Sequence, residues 1–134
     1  MRSEVLSVET GGRPAVRDLT DQCARFAAGG GDGLLHVFVP HATAGVAILE
    51  TGAGSDDDLL AILDVLLPTD ERWRHRHGSP GHGRDHVVPA FIAPNASVPV
   101  LDGRLALGTW QRICLVDTNG DNRTRQVRLS FLAG

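Results

Sequence analysis

Four of the six histidines fall in one window, at His75, His77, His82 and His86. Imidazoles at this density are the raw material of a zinc site. Such a site needs three or four neutral imidazoles or carboxylates converging at about 2 Å, with one position left open for catalysis. His82 and His86 have the spacing of neighbours on one helix face, but Gly81 and Gly83 argue against a helix there. The better pairing joins His86 to the distant His41, each at a junction of strand and loop. His75 and His77 sit among Arg and Gly and read as a solvated loop. His36 alternates with apolar neighbours and points away from His41, so it reads as a core or interface histidine. Glu50 closes an apolar run, where a carboxylate can orient an imidazole or serve as a general base. Asp57 and Asp58 open a helix and are explained by helix capping.

Two further groups have binding chemistry. Arg123, Arg125, Val127, Leu129 and Phe131 share one face of a strand by period two, which aims the arginines at the interior or at the rim of a cleft. Gln111, Ile113, Leu115 and Asp117 are in phase in the same way. If the two strands pair, Asp117 holds Arg123 or Arg125 as a fork towards an anion, or the three form an ordinary salt bridge. Gly108-Thr109-Trp110-Gln111 combines a permissive glycine, a hydroxyl, a flat π surface and an amide. It can stack a small heteroaromatic or phosphorylated ligand on Trp110 with hydrogen bonds from Thr109 and Gln111, or Trp110 is a packed anchor. Gly29-Gly30-Gly31 and Gly81/Gly83 are not phosphate loops, since neither follows a strand and opens a helix.

These residues need elements to position them. Ser3–Glu9 reads as a strand, Thr20 caps a helix to about Ala28, and Leu34–Val39 is a strand internal to a sheet. Gly45–Glu50 is a second strand, and Ser55-Asp56-Asp57-Asp58 starts a helix running to about Leu67, with a wide leucine stripe and Pro68 after it. Residues 69–85 form a long loop without periodicity, the kind that is functional or disordered in a small domain. The remainder reads as a β-meander: Ser97–Val100, Arg104–Leu107, Gln111–Asp117 and Arg123–Phe131, with turns at Asp102-Gly103 and Asn119-Gly120. Two helices among about seven strands predict an α+β fold with a mainly antiparallel sheet or sandwich, as one domain over residues 1–134.

Composition narrows the function classes. A net charge of −3 gives no electrostatic reason for nucleic-acid binding. No apolar run approaches the roughly 20 residues that span a bilayer. Met1 to Leu6 lacks the apolar centre of a signal peptide, so a cytoplasmic location is expected. Cys23 and Cys114 lack metal-type spacing and read as reduced buried thiols. All 13 basic residues are Arg, which removes Schiff-base and P-loop lysine chemistry. Any anion is therefore held by Arg, His or backbone N–H groups.

The order of these motifs resembles the family of small proteins typified by YjbQ, also called UPF0047. The resemblance rests on His41-Ala42-Thr43-Ala44, Glu50, His86 ahead of Pro99, the Gly108-Thr109-Trp110-Gln111 block, and Asp117 with Arg123 and Arg125. It implies the same α+β fold, a homotrimer, and functional roles for His41, His86 and Glu50. It also implies thiamine phosphate synthase-type activity, joining a pyrimidine diphosphate to a thiazole phosphate with release of pyrophosphate. Arg123 and Arg125, helped by Arg84 or a divalent metal such as Mg²⁺, would then neutralise the diphosphate, and Trp110 would stack the pyrimidine. Many relatives carry a second His where this chain has Arg84, so a metal site on His41 and His86 would recruit His82 or Asp85. The alternatives are a zinc-dependent hydrolase of a small phosphorylated or heteroaromatic metabolite, and a non-catalytic small-anion binding module.

Overall fold

The computed structural model describes residues 1–134. Eight strands form two sheets in which every paired edge is antiparallel. The larger sheet contains β1 (Arg2–Glu9), β3 (Gly33–Phe38), β5 (Asn95–Leu101), β6 (Arg104–Leu105) and β8 (Thr124–Ala133), in the order β1-β8-β3-β5-β6. The smaller contains β2 (Ala15–Asp18), β4 (Ala44–Leu49) and β7 (Arg112–Asp117), in the order β2-β7-β4. The helices are α1 (Thr20–Ala27), α2 (Ser55–Leu66) and the short α3 (Val88–Phe91). The expected α+β class holds. The expected meander does not, because β6, β7 and β8 are not neighbours and β7 and β8 lie in different sheets.

Period-two alternation produces the core. Leu35, Val37, Val98, Val100, Val127, Leu129 and Phe131 of the larger sheet meet Ala44, Val46, Ile113 and Leu115 of the smaller, with Leu19, Cys23 and Ala27 of the α1 region closing one edge. Each fully buried aliphatic side chain here contributes about 1.5–3 kcal/mol by leaving water. A second cluster (Leu63, Leu67, Val88 and Val116) fixes α2 and α3 on the opposite face of the smaller sheet. The layers are therefore sheet, sheet and helices. The leucine stripe of α2 is narrower in use than in sequence, since Leu63 is buried while Ile62 and Leu66 are exposed.

The helix starts differ from the expected capping. At α1 the carboxylate of Asp18, not the Thr20 hydroxyl, accepts the Thr20 N–H. At α2 the cap is Gly54 in the left-handed region, without a side-chain bond, and Asp56, Asp57 and Asp58 act only as first-turn charges on the helix dipole. No helix is long and apolar enough to cross a membrane.

Candidate metal centre

The segment read as an open loop contains an ordered 3₁₀ turn, His82–His86. Gly81 precedes it at φ 75, a conformation that disfavours side chains. Arg84 holds the turn to α2, donating to Asp64 at 2.5 Å and to the Leu67 carbonyl at 3.1 Å. Its Nε lies 3.3 Å from Asp85, which also accepts from the Thr118 hydroxyl at 2.6 Å at the end of β7 and lies 3.6 Å from Nδ1 of His82. The turn is thus pinned between a helix and a strand end. Arg84, expected to assist with a diphosphate, is committed to this framework and is buried.

Gly83 decides what lies above the turn. A Cβ there would come within 2.4 Å of the Trp73 Cβ and 2.5 Å of the His75 carbonyl oxygen. The glycine therefore seats the 69–81 segment directly on the turn. Trp73 anchors that segment by donating to the Pro68 carbonyl at 2.9 Å and packing against the second core cluster. His75 is delivered onto the turn's histidines as a result.

Four imidazoles meet there. Ring centroids are 3.9 Å apart for His75 and His86, 4.7 Å for His82 and His86, and 3.9 Å for His75 and His77. Nitrogens of His75, His82 and His86 all lie within 4.8 Å of one another. The Nε2 atoms of His82 and His86 face each other at 2.8 Å, and Nε2 of His75 is buried with no hydrogen-bond partner. Burial, then the neighbouring imidazoles, hold the His75 and His86 pKa values below the ordinary range, so both favour the neutral form that ligates metal. Behind them, Nδ1 of His82 lies 3.2 Å from the Asp121 carboxylate and 3.1 Å from the Asn119 amide nitrogen. The carboxylate calls for Nδ1–H and the amide donor for a lone pair. A cation on Nε2 would require Nδ1–H, the tautomer of a metal-bound imidazole with a carboxylate behind it. The residues present therefore fit a divalent ion.

A cleft of about 430 Å³ opens beside these rings and is lined by His41, His77, His82, His86, Asn119 and Arg125 among others. His41 thus shares the cleft with His86, but its Nε2 accepts the Gln126 backbone N–H at 2.9 Å. Burial and the Arg125 charge keep its pKa low. His75 takes the third position that pairing His41 with His82 and His86 would have filled. On the cleft floor, buried Arg125 donates to Asp117 through Nε at 2.5 Å and Nη2 at 3.2 Å, and to the Thr43 hydroxyl at 3.0 Å. The Asp117–Arg125 pair forms although β7 and β8 are not paired, because both side chains point between the sheets. The pair commits Nε and Nη2 of Arg125 internally and leaves only its Nη1 hydrogens without a protein partner.

The other expected residues lie elsewhere. Glu50 is exposed at the far end of β4, whose first residue Ala44 pairs with Asp117. It is thus roughly 20 Å from the histidines at the rise of an extended strand. Thr109, Trp110 and Gln111 precede β7 at that same far end, and Trp110 is 70% exposed. The Gln111 side chain accepts the Gly108 N–H at 2.8 Å, closing a local turn. Arg123 is exposed on the outside of the β1–β2 turn, away from Arg125. Sequence reasoning missed His75, Asn119 and Asp121. The only available signal for the last two was a polar turn, Asn119-Gly120-Asp121, following an in-phase acidic strand.

The chain matches the model of the UPF0047 protein YjbQ-like family over residues 4–134. It is 60% identical to the UPF0047 protein Rv2556c of Mycobacterium tuberculosis, covering 100% of both chains. It is 34% identical to a UPF0047 protein of Archaeoglobus fulgidus, covering 95% of this chain and 98% of that one. Among solved structures it is similar to the hypothetical protein APE1520 of Aeropyrum pernix K1, with TM-score 0.91, 33% identity and full coverage of both chains. A YbjQ-like protein of unknown function from Sulfolobus solfataricus P2 has TM-score 0.92 at 26% identity, covering 99% and 97%. With sequence and fold matching over the whole length, the chain belongs to the YjbQ-like UPF0047 family.

Proposed function

We propose that this protein is a metal-dependent hydrolase of a small phosphorylated or heteroaromatic metabolite, with His75, His82 and His86 as its ligands. The observation that carries the reading is the buried, unpartnered Nε2 of His75, set against the facing Nε2 atoms of His82 and His86. Three imidazoles suit zinc and not Mg²⁺, which asks for oxygen ligands. A zinc ion would supply a Lewis acid and a water of lowered pKa in its open position. Asp121 fixes the His82 tautomer, the Asp117–Arg125 pair keeps the floor rigid, and His41 and His77 stand at the cleft wall for proton handling.

Thiamine phosphate synthase-type transfer is the weaker reading, because Trp110 lies at the far end of β7 and cannot stack a ring beside these histidines within one subunit. A homotrimer is also proposed. The outer face of the larger sheet exposes Leu34, Phe38, Leu101 and Leu132, with Leu34 paired to Leu132 across the strands, and apolar faces of this kind are commonly subunit contacts.

The test is metal content of the purified full-length protein beside His75→Ala, with a phosphatase and amidohydrolase panel. Near-stoichiometric zinc lost in the variant, with turnover lost in parallel, supports the reading. Absence of metal from the parent, or zinc retained by His75→Ala, overturns it. Thiamine phosphate formed from both precursors without need of metal would favour the transferase.

A further inference from the structure

Three arginines line a second cavity that the metal-centre chemistry does not use. Arg13, Arg17 and Arg123, with Thr10, Gly12 and Pro14, enclose about 520 Å³ beside the β1–β2 turn, and no carboxylate lines it. None of the three forms a salt bridge, whereas Arg72, Arg84, Arg112 and Arg125 all do. The acidic residues nearest in sequence are committed elsewhere. Asp18 accepts from the Thr20 N–H and from Arg112, Asp121 from Ser79, and Glu9 from the Thr124 hydroxyl. Three cations facing one cavity with no carboxylate in its lining raise the local positive potential, which favours an anion there.

The cluster is also held in place. Thr10 and Gly11 both donate their backbone N–H to the Arg123 carbonyl, at 2.8 and 3.1 Å. Arg17 donates Nε to the Glu9 carbonyl at 3.2 Å and Nη2 to the Thr10 carbonyl at 3.5 Å, which fixes the guanidinium and leaves three of its five N–H groups free. The chain contains no lysine, so planar guanidinium forks are its only fixed cations, and they match phosphate oxygens pairwise. The position matters too. Gly12 and Pro14 also border a groove that runs to His82 and Asp121, at the edge of the imidazole cluster.

We propose that Arg13, Arg17 and Arg123 form an anion-anchoring subsite for a phosphate or diphosphate group, seating a substrate whose other end reaches the imidazole cleft. The second clause rests on the hydrolase reading; the first does not. A net charge of −3 gives no electrostatic reason for nucleic-acid binding, so a local basic pocket favours a small phosphorylated molecule.

The test is calorimetric titration of the full-length chain with inorganic pyrophosphate at low ionic strength, in EDTA so that no metal contributes. Alongside run Arg13→Gln/Arg123→Gln, Arg123→Lys, His86→Ala, and Arg74→Gln as an exposed-charge control. Binding by the parent, weakened at least tenfold in the double variant, partly kept in Arg123→Lys and unchanged in His86→Ala and Arg74→Gln, supports the subsite. These arginines are exposed, so loss of fold is checked simply by the unfolding temperature. No binding by the parent, or equal weakening in Arg74→Gln, overturns it. Loss in His86→Ala with the double variant unaffected also overturns it and moves the anion to the imidazoles. Because metal is excluded, failure of the hydrolase reading leaves this result intact.

Discussion

Gly83→Ala tests how the centre is assembled. On an exposed helical turn this change is stabilising by about 0.5–1 kcal/mol, since alanine loses less backbone entropy than glycine. Here the added methyl meets the Trp73 Cβ at 2.4 Å and the His75 carbonyl at 2.5 Å. The first is a side-chain root and the second is backbone, so neither moves without lifting the 69–81 segment. Overpacking of this kind costs about 1–3 kcal/mol; two contacts of 2.4 and 2.5 Å put this change in the upper part of that range, at about 2–3 kcal/mol, which leaves a net loss of about 1–2 kcal/mol after the helical gain. For a chain of 134 residues the unfolding entropy is about 0.28 kcal/mol/K, so the unfolding temperature falls by about 4–7 °C.

The metal readout separates this from general damage. His75 is moved while His82 and His86 keep their turn, so zinc affinity falls by about tenfold or more, as on loss of a supporting contact. If the three imidazoles hold zinc as proposed, zinc at a hundred times its Kd would add about 2.7 kcal/mol to the parent, or about 10 °C, and this increment would shrink in the variant. Differential scanning calorimetry with and without zinc, plus competitive chelator titration, reads both quantities. An unfolding temperature equal to or above the parent's, with the zinc increment intact, would refute the claim that the missing Cβ seats His75.

The remaining predictions concern separate features. Cys23 and Cys114 are fully buried, and burial pushes both thiols up to about 12, so native protein at pH 8 resists Ellman's reagent until denatured; rapid labelling of either would contradict the packing. Asp18 is raised by burial but lowered more by its hydrogen bonds from Thr20 and Arg112, leaving its pKa below the ordinary value. Its contribution is therefore present above the unfolded value near pH 4 and lost as pH falls through the folded one, so Asp18→Asn should flatten the acid limb of a pH–stability curve by about 1 kcal/mol or less. Arg125→Leu leaves Asp117 buried without its partner and should cost about 3–5 kcal/mol by denaturant titration; a loss below about 1 kcal/mol would show the pair is not an internal framework. Leu34→Glu with Leu132→Glu should convert an assembled protein to monomers by light scattering without lowering zinc content, and an unchanged mass would remove the outer sheet face as the contact.

How much was legible in the sequence follows the kind of signal. Period two placed Arg123, Arg125, Val127, Leu129 and Phe131 on one face, and Gln111, Ile113, Leu115 and Asp117 on another; all are buried except Arg123 and Gln111, which lie just outside the strands and are exposed. Phase along a strand is a local property of alternating side chains. Strand adjacency is not local, so the Asp117–Arg125 pair was anticipated through a pairing of β7 with β8 that the fold does not make. The same limit separated Glu50 and Trp110 from the histidines. Each flanks a strand whose other end lies at the site, but a strand carries its two ends roughly 20 Å apart, and sequence motifs do not record which end faces the cleft.

His75 is the more instructive case. The 69–81 segment has no periodicity, and its histidines look solvated because nothing in the local pattern asks for burial. His77 is indeed exposed, but His75 is half-buried, and what covers it is a tertiary fit in which Gly83 has two meanings. As a propensity it is a helix breaker, and on that ground His82 and His86 read as unlikely to share a turn. As a shape it is the absence of a methyl, and only that absence lets Trp73 and the His75 carbonyl lie against the turn. Conformational freedom and steric vacancy are both carried by one letter, and sequence statistics weigh the first while this fold uses the second. A long loop dense in His, Arg and Gly therefore cannot be read as solvated from composition alone. Where glycines flank candidate ligands, close approach of a second segment is the alternative to test first.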